Sequence, residues 1–288
     1  MAIELETPTE AALPEALEAL RRWQRDDAPL QLHPGDVGWL WRFGVAATAA
    51  ALRSWRRDGA LAAVGMLDGE VLRVAIDPEL QGDAPLARAI AADAADPSRG
   101  VLPDRADAAV EAPVGACVLD ELGALGWGEG EPWALLRRDL EAQVEPHGLR
   151  VVVVGPELAP ERTAVHREGF ARASFTVERW HAMASGPLYA DARCLLAVDE
   201  RGEAAAAITV WSAGPGRPGL IEPLAVHPAQ RGRGIGRAIT VAGAAALREL
   251  GSSAALVATP ISNGAAVATY RSAGFAMLGE RRDRCRGA

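Results

Sequence analysis

The stretch Leu224-Ala-Val-His-Pro-Ala-Gln-Arg-Gly-Arg-Gly-Ile-Gly-Arg-Ala238 joins an apolar run, 219–226, to a helical pattern, 236–250. An apolar run, a glycine-rich turn and a helical period predict a strand, a loop and a helix in that order. The first turn of a helix offers free backbone N–H groups and the positive end of the helix dipole, and both attract anions. The stretch therefore predicts a phosphate-binding site where the strand ends.

The loop carries the residue types that a phosphate site needs. Glycine allows the backbone to approach a ligand closely, and arginine supplies positive charge. The residues concerned are Gly232, Gly234 and Gly236 together with Arg231, Arg233 and Arg237. Their spacing is neither that of a dinucleotide-binding loop, G-x-G-x-x-G, nor that of a P-loop, which requires a lysine. Taken alone, the loop is also compatible with a simple exposed turn.

Residues downstream of the loop narrow its meaning. Asn263 is followed seven residues later by Tyr270 and then by Gly274-Phe275. With the loop, this arrangement resembles the GNAT family of N-acetyltransferases, and the resemblance covers most of 149–280. The family's first signature is Arg or Gln, two residues, Gly, one residue, and Gly or Ala, and here it begins at Arg231.

The resemblance implies acetyl-CoA as co-substrate and a set of contacts for it. The loop would hold the pyrophosphate of coenzyme A through Arg231, Gly232, Arg233, Gly234, Ile235, Gly236 and Arg237. The backbone of the preceding strand end, Leu224, Ala225 and Val226, would hydrogen-bond the pantetheine arm. Asn263 would contact coenzyme A from the start of the following helix. Asparagine is also a good helix N-cap, and the two roles are compatible.

Two residues match positions where the family places acid and base catalysts. Glu222 interrupts an apolar strand, and partial desolvation would raise its pKa toward the range of a general base. The alternative is an exposed strand residue or an ion pair. Tyr270 would protonate the departing thiolate, whose pKa is about 8.5; the alternative is a core tyrosine. Pro223 predicts a bulge or an edge position, because proline cannot donate to the strand ladder.

The fold class predicted is α/β with a mixed sheet, because strands and helices alternate late in the chain. Two tandem GNAT-like domains are expected, at residues 1–145 and 149–288, with the boundary in the acidic, Pro- and Gly-containing stretch 141–148. Val74-Ala-Ile-Asp-Pro78 resembles Leu224-Ala-Val-His-Pro228, which suggests a divergent repeat. The arrangement is similar to that of tandem GNAT proteins with one silent half, such as mycothiol synthase.

The first half reads as a degenerate copy. In the repeat alignment Gln81 replaces Arg231, and Asp83 brings a negative charge to the position of Arg233. Pro85 removes a backbone N–H, and Ala84 and Leu86 stand where the signature has glycines. Farther along, Leu122 stands at the position of Tyr270 and Gly115 at that of Asn263. The prediction is that this half does not bind coenzyme A for catalysis and instead packs against the active domain or shapes its acceptor site.

Composition excludes several other functions. All 30 basic residues are arginine, so chemistry that requires a lysine amine is unavailable. The net charge of -8 argues against nucleic-acid and anionic-membrane partners. Three isolated cysteines suggest neither a disulfide framework nor a zinc site, and no metal is expected. The chain shows no signal-peptide or membrane-spanning pattern, so a cytoplasmic location is predicted.

The function predicted is transfer of an acetyl group from acetyl-CoA to an amine by direct attack. A small-molecule amine is the expected acceptor, and the net charge of -8 leans toward cationic ones such as polyamines or aminoglycosides. The candidates for the acceptor pocket, each of which could instead lie in the core or on the surface, are His166, His181, Trp180, Tyr189 and Trp211. The alternative function is a non-catalytic acyl-CoA-binding sensor or interaction module. The oligomeric state does not follow from the sequence.

Overall fold

The structure, a computed structural model, describes residues 2–170 and 174–287. In the first half the strands are β1 (Ile3–Glu6), β2 (Leu52–Arg57), β3 (Ala60–Asp68), β4 (Val71–Ile76), β5 (Ala109–Glu111) and β6 (Gly128–Asp139). The helices of this half are α1 (Leu13–Trp23), α2 (Pro34–Leu40), α3 (Val45–Ala51), α4 (Ala84–Ala95) and α5 (Cys117–Ala124).

From its second helix onward, the second half repeats the element order of the first. The series that begins at this helix corresponds to the series that begins at the third helix of the first half. Its strands are β7 (Arg150–Val153), β8 (Ala192–Val198), β9 (Ala204–Trp211), β10 (Gly219–Val226), β11 (Ala254–Pro260) and β12 (Ala276–Cys285). Its helices are α6 (Ala159–Gly169), α7 (Val177–Ala184), α8 (Ile235–Glu249) and α9 (Gly264–Ser272). Among residues 2–170 and 174–287, no helix is both long enough and apolar enough to cross a lipid bilayer.

The strands of both halves form one continuous mixed sheet. Across the described residues the order is β1-β2-β3-β4-β5-β12-β6-β11-β10-β9-β8-β7. The pairs β4/β5 and β10/β11 are parallel, and the other neighbouring strands are antiparallel. The prediction of an α/β fold with a mixed sheet is therefore confirmed.

The two halves exchange their last strands. β6, from the first half, lies between β11 and β12 and pairs with β11 from Trp133 to Asp139. β12, from the second half, lies between β5 and β6. The predicted boundary at 141–148 falls in the link between β6 and β7. Each half thus receives one internal strand from the other.

The repeat is visible where β4 and β10 end. Each strand runs into a short 3-10 turn, Pro78–Leu80 after β4 and Pro228–Gln230 after β10. The residue before each turn caps it with its side chain: Asp77 accepts from the N–H two residues on at 3.1 Å, and His227 does so at 3.3 Å. The two similar segments, 74–78 and 224–228, therefore occupy corresponding positions in the fold.

Helix α2 of the first half packs directly on the second half. Pro34 begins the helix, and the buried side chain of Asp36 accepts from the backbone N–H of His33 at 2.7 Å. The helix lies against the indole of Trp211, where a Cβ on Gly35 would come within 2.5 Å of a Trp211 atom. Only a residue without a side chain fits at this contact. The indole N–H of Trp211 then donates to the Glu222 carbonyl at 2.7 Å, so α2 supports the strand that carries Glu222.

Candidate active site

A cleft opens where β10 and β11 separate. The two strands pair in parallel at their starts, over Gly219 and Leu220 of β10. A register shift between Ile221 and Leu224 then marks a bulge in β10, as expected from Pro223. The cleft between the diverging strands has a volume of about 850 Å³, within the range of about 300–1,000 Å³ typical of small-molecule sites.

Most of the residues predicted for the site line this cleft. They are Glu222, Leu224, Ala225, Val226, Arg231, Gly232, Gly234, Gly236, Arg237, Asn263 and Tyr270. Arg233 and Ile235 point elsewhere: the Arg233 guanidinium donates to Gln230 Oε1 at 2.8 Å, and Ile235 packs against the core of the second half. The structure thus brings one strand end, one loop and one helix onto a single cavity.

The loop presents a helix N-terminus to the cleft. Gly232 and Gly234 have φ values of 73° and 78°, in the left-handed region that favours glycine, and Gly234 is the N-cap of α8. A Cβ at either position would meet no atom within 4 Å, so the space in front of the loop is open. Gly236 instead allows close packing, because a Cβ there would lie 3.2 Å from Thr269 of α9.

Two arginines beside the loop are held by backbone carbonyls. Arg231 donates to the Gly169 carbonyl at 3.0 Å, and Arg237 donates to the Ser272 carbonyl at 2.9 Å. A carbonyl orients a guanidinium without neutralising it. Arg237 also lies 3.5 Å from a carboxylate oxygen of Glu145. Both arginines therefore keep donors at the mouth of the cleft, and the charge of Arg237 is partly offset by Glu145.

Glu222 lies on the bulge of β10 and is half-buried. Burial raises the pKa of its carboxyl to about 7, with a further increase from the nearby Asp36 carboxylate, while Arg73 acts in the opposite direction. A carboxyl with this pKa is about half ionised at neutral pH, where it can both accept and release a proton. The residue therefore has the properties of a general base.

Tyr270 faces the same cleft from α9. Burial raises the pKa of its phenol above the usual range, and the charge of Glu222 adds to the effect. The hydroxyl therefore stays protonated at neutral pH and is available as a donor. Its ring lies 5.9 Å from that of Phe275, and within the described parts of the chain its hydroxyl has no hydrogen-bond partner.

Asn263 is the N-cap of α9. Its side-chain oxygen accepts from the Ala266 N–H at 3.2 Å. The residue is exposed and lines the cleft, so its amide NH₂ remains able to donate to a ligand. The structure thus allows both roles considered for this residue.

Comparison with known proteins assigns this site to a family. The profile of the family described as "Acetyltransferase (GNAT) family" matches residues 156–275. Residues 156–275 form a GNAT acetyltransferase domain. The domain carrying the cleft is therefore classed with the acyl-CoA-dependent N-acetyltransferases. No curated protein resembles the chain closely enough in sequence to give a significant match.

Solved GNAT structures share the fold over nearly the whole chain. An acetyltransferase from Colwellia psychrerythraea matches with a TM-score of 0.60 at 15% identity, covering 99% of both chains. A GCN5-related N-acetyltransferase from Sphaerobacter thermophilus gives 0.56 at 20% identity, covering 98% of this chain and 94% of that one. A tandem GNAT protein from the clavulanic acid biosynthesis pathway gives 0.57 at 15% identity, covering 99% and 97%. At these identities the likeness concerns the fold.

The first half adds charged groups to the GNAT site that sequence reasoning missed. The charges of Asp36, Asp68, Arg42 and Arg73 all affect the pKa of Glu222. Arg73 pairs with the buried Asp36 carboxylate at 2.8 Å. One signal was present in the sequence, since Arg73 interrupts the apolar strand β4 as Glu222 interrupts β10.

Arg73 and Asp36 belong to a network of ion pairs that joins the two halves. Glu111 pairs with Arg73 at 3.0 Å and with Arg281 of β12 at 2.9 Å. Arg281 also pairs with Asp283 at 3.1 Å. Buried ion pairs hold their geometry tightly, because breaking one leaves an uncompensated charge. The exchanged strand β12 thus helps to fix the charges beside Glu222. In the described part of the chain, no group of three or more His, Cys, Asp or Glu side chains is arranged to hold a metal ion.

Proposed function

We propose that this protein transfers the acetyl group of acetyl-CoA to a small-molecule amine by direct attack in the cleft between β10 and β11. The observation that carries the proposal is the convergence of three groups on one cavity. These are the α8 N-terminus, a carboxyl with a pKa of about 7 at Glu222, and the protonated Tyr270 hydroxyl. A binding protein would need the first of these alone.

The fit of coenzyme A is supported by the open space at the loop. Its pyrophosphate would lie at the first turn of α8, where Gly232 and Gly234 leave room and Arg231 and Arg237 offer donors. The pantetheine arm would run along Leu224–Val226, where β10 has parted from β11. Asn263 would donate its side-chain amide from the opposite wall.

The proposed reaction uses one base and one acid. The acceptor ammonium gives a proton to Glu222, and its nitrogen lone pair attacks the thioester carbonyl carbon to form a C–N bond. The C–S bond breaks and the sulfur leaves with the bonding pair, taking the Tyr270 proton. The nitrogen then loses its second proton, which restores the tyrosine. The products are an N-acetylated amine, a free thiol and the proton held by Glu222.

We propose that the first half does not bind coenzyme A, because its own side chains occupy the corresponding groups. Asp83 accepts from the Leu86 N–H at 2.8 Å at the start of α4 and pairs with Arg57, so a carboxylate already sits at this helix N-terminus. The N–H of Ile76, at the end of β4, donates to the side chain of Gln31 at 3.0 Å. The Asp83 carboxylate would repel a pyrophosphate, and the N–H groups of Leu86 and Ile76 already have hydrogen-bond acceptors.

Release of free thiol from acetyl-CoA across an amine library tests the proposal. We expect release that depends on the amine and that is lost in Glu222→Gln. The acetylated product, identified by mass spectrometry, should carry the acetyl group on nitrogen. Tight binding of acetyl-CoA without amine-dependent release would contradict the proposal and favour the binding-module alternative.

A further inference from the structure

A cluster of arginines lies beside Glu222, on the side where α2, α6 and α7 meet. Its members are Arg42, Arg162 and Arg179, packed around the aromatic rings of Trp39, Phe43 and Phe175. Among residues 2–170 and 174–287, no carboxylate forms an ion pair with any of the three. Within the described residues the cluster therefore has no ion-paired carboxylate, although the charges of Asp68 and Glu222 act on Arg42.

Arg162 is the most deeply placed member. It is 1% exposed, and its guanidinium stacks on the Phe175 ring at 4.3 Å. One terminal nitrogen lies 3.4 Å from Thr209 Oγ1. The Nε and the other terminal nitrogen have no hydrogen-bond partner among the described residues. Leaving the donors of a buried cation unsatisfied is costly, so their geometry points to an acceptor other than the described residues.

Arg42 is close enough to both Arg162 and Glu222 for their charges to act on its pKa. Its guanidinium is 4.4 Å from both the Trp39 and Phe43 rings and donates once, to the Trp39 carbonyl at 2.7 Å. Burial lowers its pKa to about 10; the charges of Asp68 and Glu222 raise it and those of Arg179 and Arg162 lower it. The charge of Arg42 thus interacts both with the carboxylates near the cleft and with the other two arginines of the cluster.

An aromatic layer connects the cluster to the wall of the cleft. Phe170 lines the cleft, and its ring lies 4.7 Å from that of His166. The His166 ring lies 5.0 Å from Phe175 and 5.5 Å from Trp39, which carry the arginines. Burial and the neighbouring arginines lower the pKa of His166 to about 3, so it is neutral and adds no charge. His166 therefore links Phe170 of the cleft wall to the rings on which the arginines pack.

We infer that the acceptor is an amine that also carries an anionic group, a carboxylate or a phosphate, which pairs with Arg42 and Arg162 while the amine faces Glu222. This inference rests on the proposed acetyl transfer and adds the class of acceptor. Guanidinium groups bind carboxylate and phosphate oxygens in pairs, and the aromatic faces keep water from competing. The local charge is thus opposite to what the net charge of the whole chain suggests.

Matched acceptors test the inference in the intact protein. We would compare ω-amino acids of increasing length, their uncharged amides and the corresponding aminoalkyl phosphates, measuring kcat/KM from thiol release. We expect an anionic member to exceed its amide by about ten- to hundredfold, the value of one or two charged hydrogen bonds. Equal rates for acids, phosphates and amides would overturn the inference and leave acetyl transfer intact. Absence of amine-dependent release with every acceptor would overturn both.

Arginine variants test which side chains bind the anionic group of the acceptor. Arg42→Gln should remove the preference for the anionic acceptor, so that the ratio of kcat/KM for the acid to that for the amide approaches one; a change in the pKa of Glu222 affects both acceptors and cancels in this ratio. Arg162→Gln should also remove the preference for the anionic acceptor. If loss of the buried Arg162 side chain prevents folding, Arg42→Gln alone tests the inference. The control is Arg88→Gln. The Arg88 side chain is exposed on α4, so this variant should keep the preference. A preference that survives both Arg42→Gln and Arg162→Gln would overturn the assignment.

Discussion

Replacing Glu222 by glutamine removes the proposed base and keeps the size of the side chain. Base catalysis by a positioned side chain is worth about 10²–10⁴ in rate, or about 3–5 kcal/mol of transition-state stabilisation. With a pKa of about 7, the wild-type carboxylate is about one-tenth ionised one pH unit below neutrality. Activity should therefore fall about tenfold for each further unit of acidification.

The assay is the pH profile of kcat/KM for thiol release, because kcat/KM reports the pKa of a group in the free enzyme. The wild type should show an acidic limb near pH 7, and Glu222→Gln should lose both the rate and that limb. Asp36→Asn tests the cause, because removing a neighbouring carboxylate should lower the pKa of Glu222 and move the limb to lower pH. A Glu222→Gln enzyme that keeps the limb would refute the assignment of the base.

Stability provides a control on the same variant. The folded chain holds the Glu222 proton up to about pH 7, whereas the unfolded chain loses it near 4.5. The free energy of unfolding of the wild type therefore falls as pH rises through this window, by at most about 3 kcal/mol. Glu222→Gln lacks this loss, so it should be the more stable protein at pH 8 and about equal at pH 4.5. Lost activity in a stabilised variant cannot be caused by unfolding.

Three further variants test other parts of the account. Tyr270→Phe should lower kcat by about 10²–10⁴ without changing the affinity for acetyl-CoA, and unchanged turnover would exclude its role as acid. Gly35→Ala should lower Tm, since its Cβ would lie 2.5 Å from Trp211 and overpacking costs about 1–3 kcal/mol; Gly82→Ala, with no atom within 4 Å, is the control and should keep Tm. A chain ending at Phe275 lacks β12 and should show no cooperative thermal unfolding, whereas a folded truncated chain would contradict the importance of strand exchange.

The sequence predicted those parts of the fold that local patterns determine. The predicted strand 219–226 has the observed bounds of β10, and the predicted helix 236–250 differs by one residue at each end from α8 (Ile235–Glu249). The loop at 231–236 was recognisable because glycines and a helix start are adjacent in the chain. The bulge in β10 followed from Pro223, since a proline cannot join the strand ladder there. In each case the physical cause lies within a few residues of its effect.

What the sequence did not predict depends on contacts between distant residues. β6 and β12 have partners in the opposite half, and nothing in either strand identifies them. Asp36 and Arg73 reach Glu222 because α2 and β4 are packed there by the whole sheet. The unsatisfied donors of Arg162 depend on what surrounds the side chain. The sequence therefore predicted that the first half packs against the active domain or shapes its acceptor site, but it did not identify the residues involved.

We propose one acetyl-CoA site per chain, in the cleft between β10 and β11. Titration calorimetry with acetyl-CoA would count the sites, using wild type, Arg231→Gln and the corresponding first-half variant Gln81→Ala. We predict one molecule bound per chain, weakened by Arg231→Gln and unchanged by Gln81→Ala. Two molecules per chain, or binding that is lost in Gln81→Ala and kept in Arg231→Gln, would contradict the account.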